Sequence, residues 1–339
     1  DFEFGYNFRI ILGRCHRHQP LCYRFGKDYL PMGMLEDRSS GKIWFWQIES
    51  SSSWAWEISD SRNRPYLVPG LLDESAHSWS RTLKPGEKVL SLPVAIGVME
   101  GGFEDAVGVL TEYRRRIRRQ HQDNRKLPVI FNDYMHCLFA KPTTAKERPL
   151  IAAAAKSGAE IFVIDAGWYS KDGEGWWDTI GEWQPSPDRF EGGIEAIIGE
   201  IRKAGMIPGL WLEIESMGVN CPLAKVWPDE CFFIRHGKRA MVNGRLQLDF
   251  RHPKVIAHAD EVVDRMVRDY GVGYIKMDYN IDAGSGTEID SDSFGDGLLR
   301  HAEAYLKWLE GVMNRYPELV IESCSTGGMR MDYAMLSRH

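Results

Sequence analysis

The chain has 339 residues, 43% of them hydrophobic and 27% charged, which is the composition of an ordinary globular protein. Its 42 basic and 48 acidic residues give a net charge of −6, which argues against a nucleic-acid partner, and no apolar run is long enough to cross a bilayer. The 6 cysteines form no C-x-x-C pair, which argues against a structural zinc site and a disulfide scaffold and favours a reducing, cytoplasmic compartment.

Residues 1–100 are predicted to be all-β. Short runs rich in β-branched and aromatic residues, such as "KIWFWQIES", "SWAWEISD" and "EKVLSLPVAIGVM", are separated by clusters of Ser, Gly, Pro and Asn. The stretch "LKPGEKV" carries a turn signal between two of these runs. No helical pattern of any length interrupts the region, so we expect a sheet domain here.

A linker helix is predicted within 101–127. In "FEDAVGVLTEYRRRIRRQH", Phe103, Val107, Leu110 and Ile117 recur near helical spacing, and the pattern ends at the polar stretch "QDNRK". The basic run "EYRRRIRRQH" is compatible with a nucleic-acid contact, but a solvated helix face explains it equally well in an acidic chain.

Strand and helix patterns alternate over 128–339. The strand candidates are "VIFNDY", "IFVIDAG", "PGLWLEI", "RLQLDF", "YIKMDYN" and "LVIESCS", with helical patterns such as "GIEAIIGEIRKAG" between them. Strands that alternate with helices pair in parallel, so these units predict an α/β fold, a (β/α)8 TIM barrel that is incomplete at about six units. A doubly wound sheet is the alternative, but no G-x-G-x-x-G follows the first strand.

Charged groups occupy the stretch "YIKMDYN" (274–280), which is otherwise hydrophobic. Successive side chains of a strand point to opposite faces, so Lys276, Asp278 and Asn280 share one face. The other strand candidates also become polar towards their C-terminal ends, where the following residues lie: Asp133; Asp165 and Trp168; Trp211, Glu213 and Glu215; Arg245, Gln247 and Asp249; Glu322 and Cys324. The C-terminal ends of barrel strands meet at one face, so these side chains are predicted to line one cup. Taken singly, each has a structural explanation, such as an N-cap or a core position.

The residue types at these strand ends favour one kind of chemistry. Phosphate binding calls for a Gly-rich loop and basic groups, metal hydrolysis for histidine ligands, and serine hydrolysis for a G-x-S-x-G elbow. The strand ends are mainly acidic, few of the 10 histidines fall on them, and no such elbow is present, so we expect neither a metal nor a cofactor. Cleavage of a glycosidic bond needs two carboxyl groups, donors and acceptors for hydroxyls, and a flat aromatic face, which fits this set.

Asp278 is the predicted nucleophile. Lys276, two residues earlier on the same face, is expected to favour its ionised form. Asn280 is expected either to position this carboxylate or to bind a sugar hydroxyl. The structural alternative is a buried ion pair between Lys276 and Asp278 that holds the barrel wall.

The stretches "YIKMDYN" and "ESCSTGGMRMDYAML" resemble the melibiase-type α-galactosidases of glycoside hydrolase family 36. Supporting stretches occur in the family's order: "FNDYM", "FVIDAGWY", "GEWQPSPDRFEGGI", "GMIPGLWLEIE" and "LQLDFRHPKV". The resemblance covers 128–339 well and implies that this region is a catalytic (β/α)8 barrel, truncated at its C-terminal end. Residues 1–100 are similar, less specifically, to the C-terminal part of the family's β-sandwich domain.

The resemblance implies a retaining glycoside hydrolase that cleaves terminal α-galactosyl residues from oligosaccharides through a covalent glycosyl-enzyme intermediate. Asp278 matches the nucleophile in the family's K-x-D-x-N pattern, and Lys276 matches its sugar-binding lysine. The other residues assigned to substrate binding on this basis are Asp165, Trp168, Trp211, Arg245, Asn280, Cys324 and Gly327.

Two departures from the family pattern affect the expected activity. The family's acid/base aspartate lies in a W-x-S-D type segment beyond the position of His339, and Asp332 matches a different aspartate, so no acid/base residue is assigned. We therefore expect a fragment that is inactive alone and of low stability at its open barrel edge. The family's D-D-G-W appears here with Ala166 in the second position, and alanine cannot accept a hydrogen bond from a hydroxyl, which weakens the expectation of strict galactose selectivity.

Three functional alternatives stay open. An α-N-acetylgalactosaminidase is compatible with Ala166, an α-galactosyl transglycosylase would use the same nucleophile, and a non-catalytic sugar-binding barrel is disfavoured because Lys276 and Asp278 are both present. A nucleotide-binding α/β enzyme is disfavoured by the lack of a phosphate loop. The expected partner is an α-galactoside oligosaccharide, without nucleic acid or membrane, and a homo-oligomer is left open.

Overall fold

The structure is a computed structural model that describes residues 2–4, 8–14, 29–61, 64–326 and 328–339. The chain divides into two compact units. The first comprises Asp1–Arg119, Asp282–Leu306 and Gly327–His339, and the second comprises Gln120–Ile281 and Lys307–Thr326. None of the described helices is long and apolar enough to span a membrane.

The described residues form strands and helices in the following order. The strands are β1 (Phe2–Phe4), β2 (Phe8–Arg14), β3 (Tyr29–Asp37), β4 (Lys42–Ile48), β5 (Ala55–Ser61), β6 (Arg64–Leu71), β7 (Val94–Glu100), β8 (Ile130–Asn132), β9 (Ile161–Ile164), β10 (Ile207–Leu212), β11 (Ser216–Gly218), β12 (Ile234–Arg235), β13 (Lys238–Arg239), β14 (Met241–Val242), β15 (Arg245–Gln247), β16 (Tyr274–Met277) and β17 (Val320–Ser323). The α-helices are α1 (Glu74–His77), α2 (Phe103–Ile117), α3 (Asp123–Lys126), α4 (Thr144–Lys156), α5 (Ile194–Lys203), α6 (Pro222–Val226), α7 (Pro253–Asp264), α8 (Phe294–Arg315) and α9 (Tyr333–Leu336). Short π-helical turns span Tyr134–Leu138 and Arg265–Asp269, and a 3₁₀ turn spans Asp229–Cys231.

The first unit contains a five-stranded antiparallel sheet with the strand order β1-β2-β3-β4-β7. β5 and β6 form a separate antiparallel hairpin. Two glycines make room for the large aromatic side chains of β4. A Cβ atom at Gly33 would lie 2.3 Å from the Trp46 ring, and one at Gly97 would lie 2.2 Å from the Phe45 ring. The predicted N-terminal sheet region is therefore present, and at these two positions only glycine fits beside the rings of β4.

Helix α2 confirms the predicted helix, but only part of the predicted face is buried. Ala106 and Leu110 are buried in a cluster with residues of β3 and β4, whereas Phe103 and Ile117 are 40% and 42% exposed. Arg114, within the basic run, donates a hydrogen bond from Nε to Gln47 Oε1 at 2.6 Å. One arginine of this run is thus occupied by the sheet on which the helix packs.

The second unit contains a curled parallel sheet, part of a barrel, with the strand order β17-β16-β10-β9-β8. All four neighbouring pairs are parallel, and helices α4, α5, α7 and α8 lie between successive strands along the chain. β9 is buried throughout because both faces of such a sheet are covered. Helix α5 buries isoleucines at helical spacing, namely Ile194, Ile197, Ile198 and Ile201.

The prediction of six parallel strands is wrong in the described part of the chain, which has five. The run "RLQLDF" forms β15, which pairs antiparallel with β11 and β14 in a small separate sheet. The reason is a two-residue turn at Asn243 and Gly244, whose φ angles of 50° and 78° are those of a tight hairpin. A parallel neighbour needs a crossover of a dozen or more residues, and a two-residue turn allows only the antiparallel pairing.

Candidate active site

Polar residues directly follow three strands of the parallel sheet. Asp133 follows β8, Asp165 follows β9 and Asp278 follows β16. On β10, Trp211 is in register with Lys276 of β16. The carboxyl ends of parallel strands meet at the same edge of a sheet, so these side chains come together there.

The carboxylate of Asp278 accepts four hydrogen bonds, two on each oxygen. Oδ2 accepts from the indole Nε1 of Trp211 at 3.0 Å and from Nδ2 of Asn280 at 2.8 Å. Oδ1 accepts from the backbone N–H groups of Tyr279 at 2.8 Å and Thr326 at 3.4 Å. The residue is 9% exposed. A carboxyl group surrounded by donors, and still in contact with solvent, is held in one orientation as an acceptor.

Lys276 forms an ion pair with Asp165 and not with Asp278, so the predicted alternative of a Lys276–Asp278 pair is wrong. Its Nζ lies 2.8 Å from Asp165 Oδ2. Burial by itself lowers the pKa of Lys276, but the charge of Asp165 and its hydrogen bond outweigh burial, and the pKa is raised above its usual value. The ammonium group is therefore protonated throughout the physiological range.

Asp165 is fixed by three donors. Oδ2 accepts from Lys276 and also from Nδ2 of Asn132 at 2.6 Å, and Oδ1 accepts from the backbone N–H of Ala166 at 2.8 Å. Ala166 itself is buried, and its methyl group adds no acceptor beside Asp165. The site thus presents a single aspartate at this strand end.

Glu213 and Arg245 form a second buried ion pair next to Asp278. Arg245 Nη1 donates to Glu213 Oε2 at 2.5 Å, and both side chains are fully buried. Asn280 joins the two groups, because its Nδ2 donates to Glu213 Oε2 at 2.7 Å as well as to Asp278. Both amide hydrogens of Asn280 are occupied, so it orients Asp278 here, while its predicted contact with the sugar stays a prediction.

Arg245 also stacks on aromatic rings and keeps one donor unused. Its guanidinium carbon lies 3.5 Å from the centroid of the Trp177 ring, and its Nε donates to the Trp177 carbonyl at 2.8 Å. Its buried Nη2 has no acceptor among the described residues. β15 therefore brings Arg245 to the site through the hairpin sheet and not through a sixth parallel strand.

Trp211 lies in a cluster of aromatic rings. The ring of Tyr169 stacks on it, the ring of Trp176 meets it edge-on with centroids 5.7 Å apart, and Trp183 is tilted against it at 5.8 Å. Trp168 is completely buried, and its Nε1 donates to the Trp211 carbonyl at 3.0 Å. The predicted role of Trp168 in sugar binding is therefore not seen, because this side chain supports Trp211 from the protein interior.

Of the remaining predicted residues, Cys324 lies at the same edge. Cys324 follows β17, and its N–H donates to the Met277 carbonyl at 2.8 Å, which extends the parallel pairing by one step. Gly327, also predicted to bind sugar, lies outside the described residues. Asp332 caps helix α9 through its bond from the Met335 N–H and accepts a second bond from Ser51, which explains this aspartate without an acid role.

The sequence interpretation missed Asn132 and Trp176. Asn132 is the last residue of β8, and strand alternation places it on the face opposite to Asp133. A prediction that assigns Asp133 to the site therefore leaves Asn132 out. Trp176 lies in the long connection between β9 and α5, where no periodic pattern exists. Among the described residues, no group of three or more His, Cys, Asp or Glu side chains is arranged to hold a metal.

The curled parallel sheet and the aspartate held among donors at its carboxyl edge define an α/β protein whose polar site lies where barrel folds carry theirs. A sequence model of the Melibiase family matches residues 93–339, and the chain belongs to this family. The predicted resemblance to melibiase-type α-galactosidases is thereby confirmed.

Two curated relatives and one solved structure illustrate the match. The α-galactosidase AgaA of Geobacillus stearothermophilus is 27% identical over 260 residues, which are 75% of this chain and 35% of that protein. The bifunctional α-galactosidase/sucrose kinase AgaSK of Mediterraneibacter gnavus is 27% identical over 285 residues, which are 82% of this chain and 29% of that protein. A variant of AgaA solved with raffinose has a TM-score of 0.82 at 20% identity, over 98% of this chain and 46% of that one, which shows the fold. The chain spans 35% and 29% of the lengths of these two curated relatives.

Proposed function

We propose that the protein is a retaining glycosidase that hydrolyses terminal α-galactosyl residues of oligosaccharides, with Asp278 as its nucleophile. The observation that supports this best is the Asp278 carboxylate, which is oriented by four donors at the carboxyl edge of the sheet. Two relatives are named α-galactosidases, and one neighbouring structure contains raffinose, which gives the substrate class of the proposal.

The reaction follows from this geometry in two steps. An oxygen of Asp278 attacks the anomeric carbon, the bond to the leaving oxygen breaks, and that oxygen takes a proton from a general acid to which no residue of this chain is assigned. Water then attacks the same carbon, gives up a proton and releases Asp278, so that the configuration is retained. The donors from Trp211 and Asn280 hold the attacking oxygen without needing to rearrange.

The groups beside Asp278 are suited to sugar hydroxyls. Lys276 and Asp165 offer a charged donor and a charged acceptor in one fixed pair. The unused Nη2 donor of Arg245 gains an acceptor when a hydroxyl binds. Trp176, which is partly exposed and meets Trp211 edge-on, supplies an apolar face for the ring carbons of a sugar.

The proposed function implies a larger fold around the two observed sheets. We propose that the curled parallel sheet belongs to a complete (β/α)8 barrel and the N-terminal antiparallel sheet to a β-sandwich. The fold likeness over 98% of this chain supports both statements.

One observation favours a second substrate. Ala166 leaves a methyl group beside Asp165, where the family pattern carries a second aspartate. A related α-glycoside such as an α-N-acetylgalactosaminide is therefore the second candidate, and transfer to a sugar acceptor uses the same first step.

The variant D278G tests the nucleophile in the full-length protein. With an aryl α-galactoside it is expected to lose hydrolysis by about a thousandfold or more, and added azide should restore turnover and yield the β-galactosyl azide. Azide fills the space of the missing carboxylate, and attack from that side inverts the configuration once. The control D188G removes an exposed aspartate and should hydrolyse like wild type without forming the azide. Hydrolysis by D278G at the wild-type rate would remove Asp278 as the nucleophile.

A further inference from the structure

Two carboxyl groups that the proposed reaction does not use meet in the interior behind the site. Asp133 follows β8 and is 2% exposed, and Glu147, in the first turn of α4, is completely buried. The two carboxyl groups face each other within hydrogen-bonding reach. Buried carboxylates are normally paired with a cation or surrounded by donors.

Glu147 has neither kind of partner. No N–H or O–H group of the described residues donates to its Oε1 or Oε2, so Asp133 is the polar group that it meets. Two ionised carboxylates in contact in a buried site repel each other, whereas one proton between them turns the same contact into a hydrogen bond.

The surrounding charges do not neutralise the pair. Asp165, which follows β9, places a further negative charge near Asp133. The cation that pairs with Asp165 is Lys276 of β16, which is thus not available to Asp133. The thiol of Cys137 raises the pKa of Glu147 slightly. Lys146, on α4, is exposed, its Nζ donates to the Lys141 carbonyl at 3.1 Å, and it lowers the pKa of Glu147 even less.

The direction of titration agrees with this arrangement. Burial, and then the charge of Asp133, raise the pKa of Glu147 well above its usual value. Burial raises the pKa of Asp133 to about 6, although hydrogen bonds from Glu147 and from the Asp165 N–H act in the opposite direction. Glu147 is therefore the member of the pair that keeps the proton.

Asp133 connects this pair to the site. Its Oδ1 accepts a hydrogen bond of 2.7 Å from the backbone N–H of Asp165, the residue that binds Lys276. An ionised Asp133 fixed by a donor from Glu147 thus fixes the backbone from which the Asp165 side chain projects.

We propose that Glu147 donates a proton in a hydrogen bond to Asp133 and that the pair acts as a positioning device for Asp165. Neither residue touches the reacting atoms, and the proton stays with the pair throughout the reaction. Its effect on turnover rests on the proposed function of the site. Loss of the proton at alkaline pH leaves two repelling carboxylates and releases Asp165, so sugar binding weakens.

The variants E147Q and E147L separate a proton donor from mere packing. Glutamine is a permanent donor of nearly the same shape as glutamic acid, whereas leucine fills the space and cannot donate. The full-length protein is assayed for kcat/KM against pH on an aryl α-galactoside. E147Q is expected to keep activity within about threefold of wild type at acidic pH and to move the alkaline limb up by about one pH unit, and E147L to raise KM by about tenfold. The control E200Q removes a surface carboxylate that pairs with Arg148, and it should follow the wild-type profile. An E147Q profile with the wild-type alkaline limb, or an E147L variant with the wild-type KM, would overturn the proposal.

Infrared difference spectra give a readout that does not depend on turnover or on the folding of E147L. At neutral pH, the spectrum of wild type minus E147Q should contain the carbonyl stretch of a protonated carboxyl group, and that of wild type minus E200Q should not. If this band is present while no α-galactoside is hydrolysed, the proposed function fails and the proton-sharing pair stands. If hydrolysis occurs and the band is missing, the pair is refuted and the proposed function stands.

Discussion

At the scale of single residues, the ion pair of Lys276 and Asp165 joins two strand ends of the site. The two side chains are 18% and 4% exposed, so both charges are largely removed from water. Removal of one partner leaves the other charge buried, which typically destabilises a protein by about 3–5 kcal/mol. The effect on stability and the effect on sugar binding should therefore appear together.

The variant K276M is expected to lower the free energy of unfolding by about 3 kcal/mol and to weaken binding of galactose, because Asp165 loses its cation. Urea unfolding and calorimetric titration with galactose measure the two effects. The control K203M removes an exposed lysine of α5 and should change neither. A K276M variant as stable as wild type would show that the ion pair contributes nothing.

The variant A166D is expected to sharpen the preference for α-galactosides over their epimers by about tenfold or more, since a charged acceptor contributes about 1.5–3 kcal/mol to a hydroxyl contact. The measurement is the ratio of the kcat/KM value for an aryl α-galactoside to that for the aryl α-glycoside of the epimeric sugar. An unchanged ratio would mean that other residues already provide the selectivity.

Strand alternation predicted which side chains share a face, but not the partners that they bind. Lys276 and Asp278 were correctly placed on the same strand end, yet the lysine reaches past β10 to Asp165 on β9. That choice depends on the order of strands in the sheet, which the local pattern does not contain. The same holds for Trp168, because alternation cannot distinguish a ring that faces a site from one that lies behind it.

At the scale of elements, the hairpin of β14 and β15 determines where Arg245 lies. Gly244 has a φ angle of 78°, and a Cβ atom there would meet Asp178 Cβ at 3.5 Å, an ordinary contact. Alanine at this position would therefore be strained through its backbone and not through a clash.

The variant G244A is expected to lower the free energy of unfolding by about 1 kcal/mol and to lower activity, because the turn that positions Arg245 is strained. The matched control is G199A, in the middle of α5, where an added Cβ meets nothing within 4 Å. This variant should raise stability by about 0.5–1 kcal/mol, as alanine favours the helix. Equal effects of both changes in thermal unfolding would contradict the role of the turn.

The elements of the parallel sheet were predictable because hydrophobic runs alternate with helical periods in this region. The antiparallel strand β15 was not recognised, although the Asn243-Gly244 pair before it is a strong hairpin signal. The alternation of strands and helices around it predicts a parallel strand, whereas the two-residue turn decides the pairing. Ala106 of α2 is also buried without having been predicted, since it is small and does not stand out in a hydrophobic pattern.

At the scale of the whole molecule, the buried pair of Asp133 and Glu147 makes folding depend on pH. Glu147 holds its proton more tightly in the folded chain than in the unfolded chain, because burial and then the charge of Asp133 raise its pKa well above the ordinary value of 4.5. Stability from this group is fully present below the ordinary value and is lost as pH rises from that value towards the raised pKa.

Wild type is therefore expected to lose stability relative to E147Q as pH rises from about 4 to 7, by on the order of 1.4 kcal/mol for each unit of pKa shift. Urea unfolding of both proteins across this range measures the difference. A difference that does not change with pH, or one of opposite sign, would contradict the buried proton.

The central claim is that Asp278 attacks the anomeric carbon, and a trapped intermediate tests it most directly. The full-length protein is incubated with a fluorinated α-galactosyl fluoride whose glycosyl-enzyme breaks down slowly, and the labelled peptide is identified by mass spectrometry. The expected result is one fluorohexosyl group on the peptide that contains Asp278, attached to that side chain. A label on another carboxylate, or turnover of the reagent without any label, would contradict the assignment.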